Sequence, residues 1–404
     1  MKALAGQLKE AAARYQPEIL EHYRHFHTHP ELSGQEVETS RYITEQLTSW
    51  GIQIQELELT SGVAGVLKGG KDGPCVALRA DMDALPVLEE SACPFPSQRP
   101  GVMHACGHDL HMAALLGAAH ILADWREEMA GSVKFIFQPA EEIFTGAEAM
   151  VQQGVLEQPK VEAIFGLHSY PDLSVGQVAV RQGAMMAAVN SFTIRIRGRG
   201  GHGGLPHLAK DPVVCAAAVI TSLQTVVSRL TDAQDALVVS VCSIRGGEEM
   251  RPNIIPEEVV MAGTVRAFDP TLCQQAEKSI RLVVESTAQA YGCKAEVDYR
   301  YDLLPTINSD WLYPIALEAV ESLELEVSNP RPSTGGEDFS VFAQRVPGFF
   351  YWLGTGDEKA GCSFPWHNPK FRIHPDALPL GAQIYASSAL HYLNHFAKAE
   401  PSIG

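Results

Sequence analysis

The sequence has no long hydrophobic run and no leader of the signal-peptide type. No stretch approaches the ~20 apolar residues that a membrane-spanning helix needs. The N-terminal residues place their apolar side chains at helical spacing instead of in one apolar block. These features predict a cytoplasmic chain without a membrane partner.

The eight cysteines follow no short repeated spacing, so a chain of this length has no sign of a disulfide framework. Most are expected to be small buried apolar side chains. They are Cys75, Cys93, Cys106, Cys215, Cys242, Cys273, Cys293 and Cys362.

Basic residues are scarce. Lysine and arginine total 31 against 48 acidic residues, which gives a formal net charge of −17. A polyanion is repelled by such a chain on average. The charge therefore argues against a nucleic-acid partner and favours a small-molecule substrate.

The chain has 404 residues, and 46% of them are hydrophobic. This length exceeds the ~250–300 residues that one core supports, so two domains are expected. Strands alternate with helices over most of it, which predicts an α/β domain at 1–186 and 299–404. This domain should have a mostly parallel sheet with helices on both faces. Residues 187–298 follow a β-α-β-β-α-β order, which predicts an inserted ferredoxin-like α+β domain.

Four segments carry metal-binding residue types at predicted strand ends or helix starts, where α/β proteins place their sites. Cys106 and His108 lie two residues apart, while His168 and His367 each follow other elements. Locally, Cys106 also fits a buried thiol and His108 the first turn of a helix. Clustering of histidines around these segments favours metal ligation.

Two acidic pairs accompany these segments. Glu141 and Glu142 follow an apolar strand. They fit either two solvent-exposed acids at the start of a helix or a functional pair in which each residue has its own role. In the second case Glu142 binds metal and Glu141 moves protons. Asp81 and Asp83 fit either caps of the next element or supports that orient ligating histidines.

Nine motifs in order along the chain resemble the M20 family of metallopeptidases and amidohydrolases. The similarity is greatest to its branch of N-acyl-amino-acid amidohydrolases, hippurate hydrolases and plant auxin-conjugate hydrolases. The motifs are 27–31 (HTHPE), 79–86 (RADMDALP), 103–109 (MHACGHD), 138–142 (QPAEE), 166–168 (GLH), 200–203 (GGHG), 253–256 (NIIP), 335–339 (GGEDF) and 367–369 (HNP).

The resemblance implies a dinuclear metal centre in which Cys106 bridges two divalent ions. It implies that His108, Glu142, His168 and His367 complete the ligand set. Zinc is the expected metal for this set, with manganese, nickel or cobalt as alternatives. Three aspartates are expected to lie outside the ligand set and to orient the ligating side chains by hydrogen bonds. They are Asp81, Asp83 and Asp109.

The resemblance also assigns roles outside the ligand set. Glu141 would be the general base. His202 would polarise the scissile carbonyl, although a histidine in a glycine-rich loop also fits a plain turn residue. Asn253 would bind the substrate carboxylate, and residues 187–298 would form a lid that carries the interface of a homodimer or higher homo-oligomer.

The predicted activity is hydrolysis of N-acyl or N-aroyl amino acids to a carboxylate and a free amino acid. The alternatives are an M20-type aminopeptidase, dipeptidase or carboxypeptidase acting on short peptides, a binding protein without catalysis, and an enzyme with Cys106 as nucleophile. In this branch small residues usually follow the glutamate pair, but here residues 143–145 are IFT. The identity of the acyl group is therefore not predicted.

Overall fold

The computed structural model describes residues 2–397 and divides into two compact units. The first unit comprises Met1–Met185, Ile307–Arg331 and Asp338–Gly404, and the second comprises Met186–Thr306 and Pro332–Glu337. The second unit therefore extends beyond the predicted range 187–298.

The α-helices of the described residues are, in chain order, α1 (Lys2–Thr28), α2 (Val37–Ser49), α3 (His108–Asp124), α4 (Gly146–Gln152), α5 (Pro212–Arg229), α6 (Pro270–Ala290), α7 (Tyr313–Glu321), α8 (Phe339–Ala343) and α9 (Ala377–Ala397).

The strands in the same order are β1 (Gln53–Gln55), β2 (Val63–Lys68), β3 (Lys71–Asp81), β4 (Ala130–Gln138), β5 (Val161–Ser174), β6 (Gln177–Ala179), β7 (Gly183–Met186), β8 (Ala188–Arg197), β9 (Gly201–His202), β10 (Leu237–Gly246), β11 (Ile254–Ile255), β12 (Glu258–Ala267), β13 (Lys294–Leu303), β14 (Thr306–Asn308), β15 (Glu326–Ser328) and β16 (Gly348–Gly356).

The first unit is built on an eight-stranded sheet of order β1-β2-β4-β3-β5-β16-β6-β15. Its centre, β4-β3-β5-β16, is parallel, whereas β1, β2 and β6 introduce antiparallel pairs. Every residue of β16 is buried, so both faces of this strand are covered, as parallel sheets require. The predicted α/β class with a mostly parallel sheet is confirmed for this unit.

Helix α3 is buried along nearly its whole length and packs against α1 and α9. It begins at His108, directly after Gly107, whose φ is +90°. A Cβ at Gly107 would lie 2.5 Å from the Ser169 hydroxyl oxygen, so only glycine allows α3 to start this close to β5. The start of α3 is thereby fixed beside the carboxyl ends of the strands.

The second unit has a four-stranded antiparallel sheet of order β10-β12-β8-β13, with α5 and α6 packed against it. Its chain order is the predicted β-α-β-β-α-β pattern. Each helix begins with an Asp-Pro pair: Asp211 and Asp269 accept backbone N–H bonds from the first turn. Strand β13 pairs with β8 as far as Leu303, which explains why this unit continues past residue 298.

One helix in the described part of the chain, α5, is long and apolar enough to cross a membrane by length and composition alone. Its buried residues recur every three or four positions and belong to the core beneath the antiparallel sheet. A single helix of this kind is weak evidence for a span, because core helices meet the same criterion.

A buried polar network lies at the carboxyl end of β3. The Arg79 guanidinium donates to Asp81 at 2.8 Å, to Asp338 at 3.0 Å and to the Gln138 side-chain oxygen at 2.8 Å. Arg79, Asp81 and Asp338 are fully buried. The network joins β3 and β4 to the residue that precedes α8, so it fixes the sheet edge that carries the acidic residues.

Replacing Arg79 with methionine should destabilise the first unit severely, because two buried carboxylates lose their cation. We expect the free energy of unfolding to fall by about 3–5 kcal/mol, measured as a lower urea midpoint. The control is Arg41→Met, which removes exposed pairs with Glu38 and Glu45 and should leave the midpoint in place. Equal midpoints for both variants would contradict a stabilising role of the network.

Candidate metal centre

The carboxyl ends of β3, β4 and β5 meet at one edge of the sheet because these strands are parallel. In the register, Asp81 pairs with Gln138, and Arg79 pairs with Gly166. This alignment brings the residues after β3, the glutamate pair after β4 and His168 in β5 to the same edge. The start of α3 reaches the edge as well, as the sequence predicted.

Five predicted metal ligands converge there. The ligand atoms of Cys106, Glu142 and His367 lie within 4.8 Å of one another, and so do those of His108, Glu141 and Glu142. A third group, with the same spacing, contains Asp81, His108, His111 and His168. Cys106 Sγ is 3.4 Å from His168 Nε2, and His367 Nε2 is 3.3 Å from Glu142 Oε1. The groups share His108 and Glu142, so they form one continuous cluster.

Hydrogen bonds orient two of the histidines for metal binding. His108 Nδ1 donates to the Asp83 carbonyl at 2.8 Å, and His168 Nδ1 donates to the Ser169 carbonyl at 2.8 Å. A carbonyl only accepts, so in each neutral ring the lone pair is on Nε2. His108 Nε2 is buried and has no hydrogen-bond partner among the described residues. An orphaned nitrogen amid carboxylates fits a metal ion.

The electrostatic surroundings also fit a cation. Burial lowers the pKa of His108, but the charges of Asp81, Asp83 and Glu142 outweigh it and raise this pKa to about 10. Burial and the Glu142 and Glu141 charges hold the pKa of the Cys106 thiol well above its usual value. A thiol that stays protonated is a poor nucleophile, which argues against Cys106 attacking substrate directly. A bound cation would instead stabilise its thiolate.

Asp83 holds the glutamate pair in place. Its Oδ1 accepts from the Glu141 backbone N–H at 3.1 Å and its Oδ2 from the Glu142 N–H at 3.0 Å. The Ser33 hydroxyl donates to Oδ2 at 2.6 Å. The same residue therefore supports His108 through its carbonyl and both glutamates through its carboxylate.

Asp81 reaches the cluster through His111, a contact that the sequence did not predict. His111 Nδ1 donates to Asp81 Oδ1 at 2.5 Å, and His111 Nε2 accepts from the Ser169 N–H at 2.8 Å. Both ring nitrogens are engaged, so His111 supports the edge without being available as a ligand. Burial raises the pKa of Asp81, but His108, His111 and Arg79 hold it well below the usual range.

Asp109, which was expected to support the metal ligands, contacts His27 of α1. Its Oδ2 lies 2.7 Å from His27 Nδ1, and its Oδ1 accepts from the Leu110 N–H at 2.9 Å. Helix α3 turns this side chain towards α1, whereas its neighbour His108 faces the cluster. The sequence could not distinguish these directions, because adjacent residues at a helix start point to different sides.

His202 and Asn253 lie together in the second unit. β9 pairs with β11, and the Gly203 N–H donates to the Asn253 carbonyl at 2.8 Å. His202 Nδ1 accepts from the Gly204 N–H at 3.0 Å. The neutral ring therefore carries its proton on Nε2, and His202 is exposed, so this N–H is available to donate to an oxygen.

The sequence pattern of peptidase family M20/M25/M40 matches residues 77–391. The chain is 42% identical over 369 residues to an N-acetylcysteine deacetylase of Bacillus subtilis, covering 91% of this chain and 94% of that protein. It is 41% identical over 376 residues to an IAA-amino acid hydrolase (ILR1-like 2) of Arabidopsis thaliana, covering 92% of this chain and 84% of that protein.

A solved structure has the same fold. The YXEP protein of Bacillus subtilis, described as a dinuclear metal binding peptidase from the M20 family, superposes with a TM-score of 0.84 at 38% identity. The match covers 95% of this chain and 99% of that one. The chain is therefore a member of peptidase family M20/M25/M40, in its amidohydrolase branch, and is a hydrolase.

Proposed function

We propose that the protein is a metal-dependent amidohydrolase that cleaves N-acyl or N-aroyl amino acids to a carboxylate and a free amino acid. The observation that carries this proposal is the position of Glu141. Its buried carboxylate lies within 4.8 Å of the ligand atoms of His108 and Glu142, beside the ligand cluster rather than remote from it. The deacetylase and IAA-amino acid hydrolase relatives support the substrate class.

The proposed centre holds two divalent metal ions, in keeping with the dinuclear relative. The residues that would hold them are Cys106, His108, Glu142, His168 and His367. Soft thiolate and imidazole ligands favour zinc, while the carboxylate and imidazoles also suit manganese, nickel or cobalt. The orphaned His108 Nε2 supports this fit.

Bound divalent ions supply Lewis acidity and lower the pKa of water to ~7. Glu141 takes the proton of the attacking water and delivers it to the leaving amine. The hydrogen bond from the Glu141 N–H to Asp83 fixes the backbone that carries this carboxylate.

We assign further roles to residues of the second unit and to the unit as a whole. The Nε2–H of His202 would donate to the oxyanion that develops on the scissile carbonyl. Asn253, whose backbone holds the His202 loop, would bind the substrate carboxylate. The unit itself would act as lid and as the interface of a homodimer or higher oligomer, which light scattering can test.

The residues after the glutamate pair bear on the acyl group. Ile143 is an exposed large apolar side chain, and Phe144 adopts a φ of +56°, which is rare for a bulky residue. The Phe144 N–H donates to the Glu141 carbonyl at 2.8 Å, which fixes this turn beside the proposed base. An apolar or aromatic acyl group suits such surroundings better than a charged one.

The second candidate is a peptidase, either an aminopeptidase, a dipeptidase or a carboxypeptidase. The peptidase description of the dinuclear relative favours it. A hydrolysis screen separates the two functions. It compares acetyl-, benzoyl- and indoleacetyl-amino acids with unblocked dipeptides, each with defined metals added. Cleavage of dipeptides alone would overturn the amidohydrolase proposal.

Glu141→Gln should retain metal and lose turnover, because glutamine cannot move a proton. We expect kcat on the best acyl-amino acid to fall about 10²–10⁴-fold, with metal content by atomic emission unchanged. Glu142→Gln is the matched variant and should lose metal. Near-normal turnover in Glu141→Gln would contradict its role as the base.

His202→Ala should lower kcat about 10²–10³-fold by removing the oxyanion donor, with the substrate KM nearly unchanged. The control is His207→Ala, an exposed histidine of the same unit, which should keep full activity. A rise in KM with normal kcat would place His202 in substrate binding instead.

Asp83→Asn should weaken divalent metal binding about 10–100-fold. The amide NH₂ would face one of the two backbone N–H groups of the glutamate pair and displace Glu142 from the cluster. Competition with a chelator measures the affinity. Glu31→Gln is the control, since Glu31 is a buried carboxylate that accepts the Thr39 N–H instead. Unchanged affinity in Asp83→Asn would show that it does not support the ligands.

A further inference from the structure

Outside the cluster described above, the first unit brings together another set of metal-ligating side chains. The ligand atoms of His27, Glu89 and Cys93 lie within 4.8 Å of one another. His27 lies in the last turn of α1, while Glu89 and Cys93 belong to the loop 86–102. We propose that these three residues bind a further zinc ion, separate from the dinuclear centre, which fastens this loop to α1.

His27 is directed towards this set. Its Nδ1 lies 2.7 Å from Asp109, and its Nε2 lies 3.1 Å from Glu89 Oε1. Both ring nitrogens face carboxylate oxygens, so both donate, and a zinc ion would take the place of the Nε2 proton while Asp109 keeps the ring oriented. This gives Asp109, whose partner is His27, a supporting role at a metal site other than the one predicted.

The residue types favour zinc over harder cations. One thiolate, one imidazole and one carboxylate leave a fourth tetrahedral position for water. Ligand atoms around one zinc lie about 3.2–3.8 Å apart, from bond lengths of about 2.0–2.3 Å. The His27–Glu89 distance of 3.1 Å is close to that range, so closure mainly requires rotation of the half-buried Cys93 side chain.

Two aromatic rings lie beside the His27 ring, and an open groove lies next to the loop. The rings of Tyr23 and Phe95 lie 5.6 Å and 5.8 Å from the His27 ring. Segment 94–98 of the loop and the neighbouring turns of α1 line an open groove. None of the three proposed ligands lines this groove, but the Cys93 side chain is itself partly exposed, so a metal ion can reach it from solvent.

A zinc ion at this site would anchor a long loop. Residues 86–102, all of them described, contain no helix or strand, and a bridge between Leu85 and Met103 closes the loop. Loops of this length usually need an anchor or a function. The Glu90 N–H donates to the Pro369 carbonyl at 2.8 Å, so the loop also contacts the segment after His367. Zinc at this site would order the loop that supports this segment.

Zinc binding is measured by equilibrium dialysis and atomic emission on the intact chain and three variants. Wild type should bind one zinc ion more per subunit than Cys93→Ala and than Glu89→Gln. The glutamine retains one oxygen, which can accept the Ser97 N–H in place of Oε2, whereas the His27 contact of Oε1 is lost. Cys242→Ala, which removes an exposed cysteine, should bind as much as wild type. None of the three variants replaces a proposed ligand of the dinuclear centre.

Alkylation gives a second measurement. With free zinc about tenfold above its dissociation constant, about one-tenth of the site is empty, so Cys93 should react with iodoacetamide about tenfold more slowly. Peptide mass spectrometry reports Cys93 and Cys242 separately, and Cys242 should be unaffected. Equal zinc content in wild type, Cys93→Ala and Glu89→Gln, with Cys93 alkylated at the same rate with and without zinc, would overturn the proposal.

Discussion

The geometry of the candidate centre depends on how Asp83 anchors two chain segments. Its carboxylate accepts the backbone N–H groups of Glu141 and Glu142, and its carbonyl accepts from His108. Adjacent carboxylates repel one another. The loop that carries Glu141 and Glu142 would therefore move away from the Asp83 carboxylate if nothing held it there. Two amide hydrogen bonds to a charged acceptor offset that repulsion. The division of roles that we propose for the two glutamates rests on this fixed backbone.

Much of this edge was predictable from the sequence because strand ends are local signals. An apolar run followed by acidic residues predicts a buried strand that ends at a site, and parallel strands end at one edge. Cys106, His108, Glu142, His168 and His367 converge for that reason. The partners of Asp81 and Asp109 were not predictable. Asp81, at the end of β3, contacts His111 of α3, and Asp109 of α3 contacts His27 of α1. Each contact depends on the direction in which a side chain of α3 points, which the sequence does not give.

The ends of the second unit depend on contacts between strands that are distant in sequence. Strand periodicity marks where a strand exists, but its end is set by the partner strand. β13 continues to Leu303 because β8 offers unpaired groups as far as Val189. The return of Pro332–Glu337 to the second unit has no local pattern at all. The tautomer of His202 likewise depends on one backbone N–H that only the folded loop supplies.

The order of strands has a consequence for synthesis on the ribosome. β16 lies between β5 and β6 in the sheet, yet it is made only after the whole of Met186–Thr306. Until then β5 has an open edge, and the later elements α7, α8 and α9 are missing from the core. The second unit, whose six main elements are contiguous, can complete its sheet first. His367 follows β16, so the nascent chain acquires its last proposed ligand when translation is nearly finished. An incomplete chain therefore cannot assemble the proposed centre, and the exposed edge of β5 is where it would be open to aggregation.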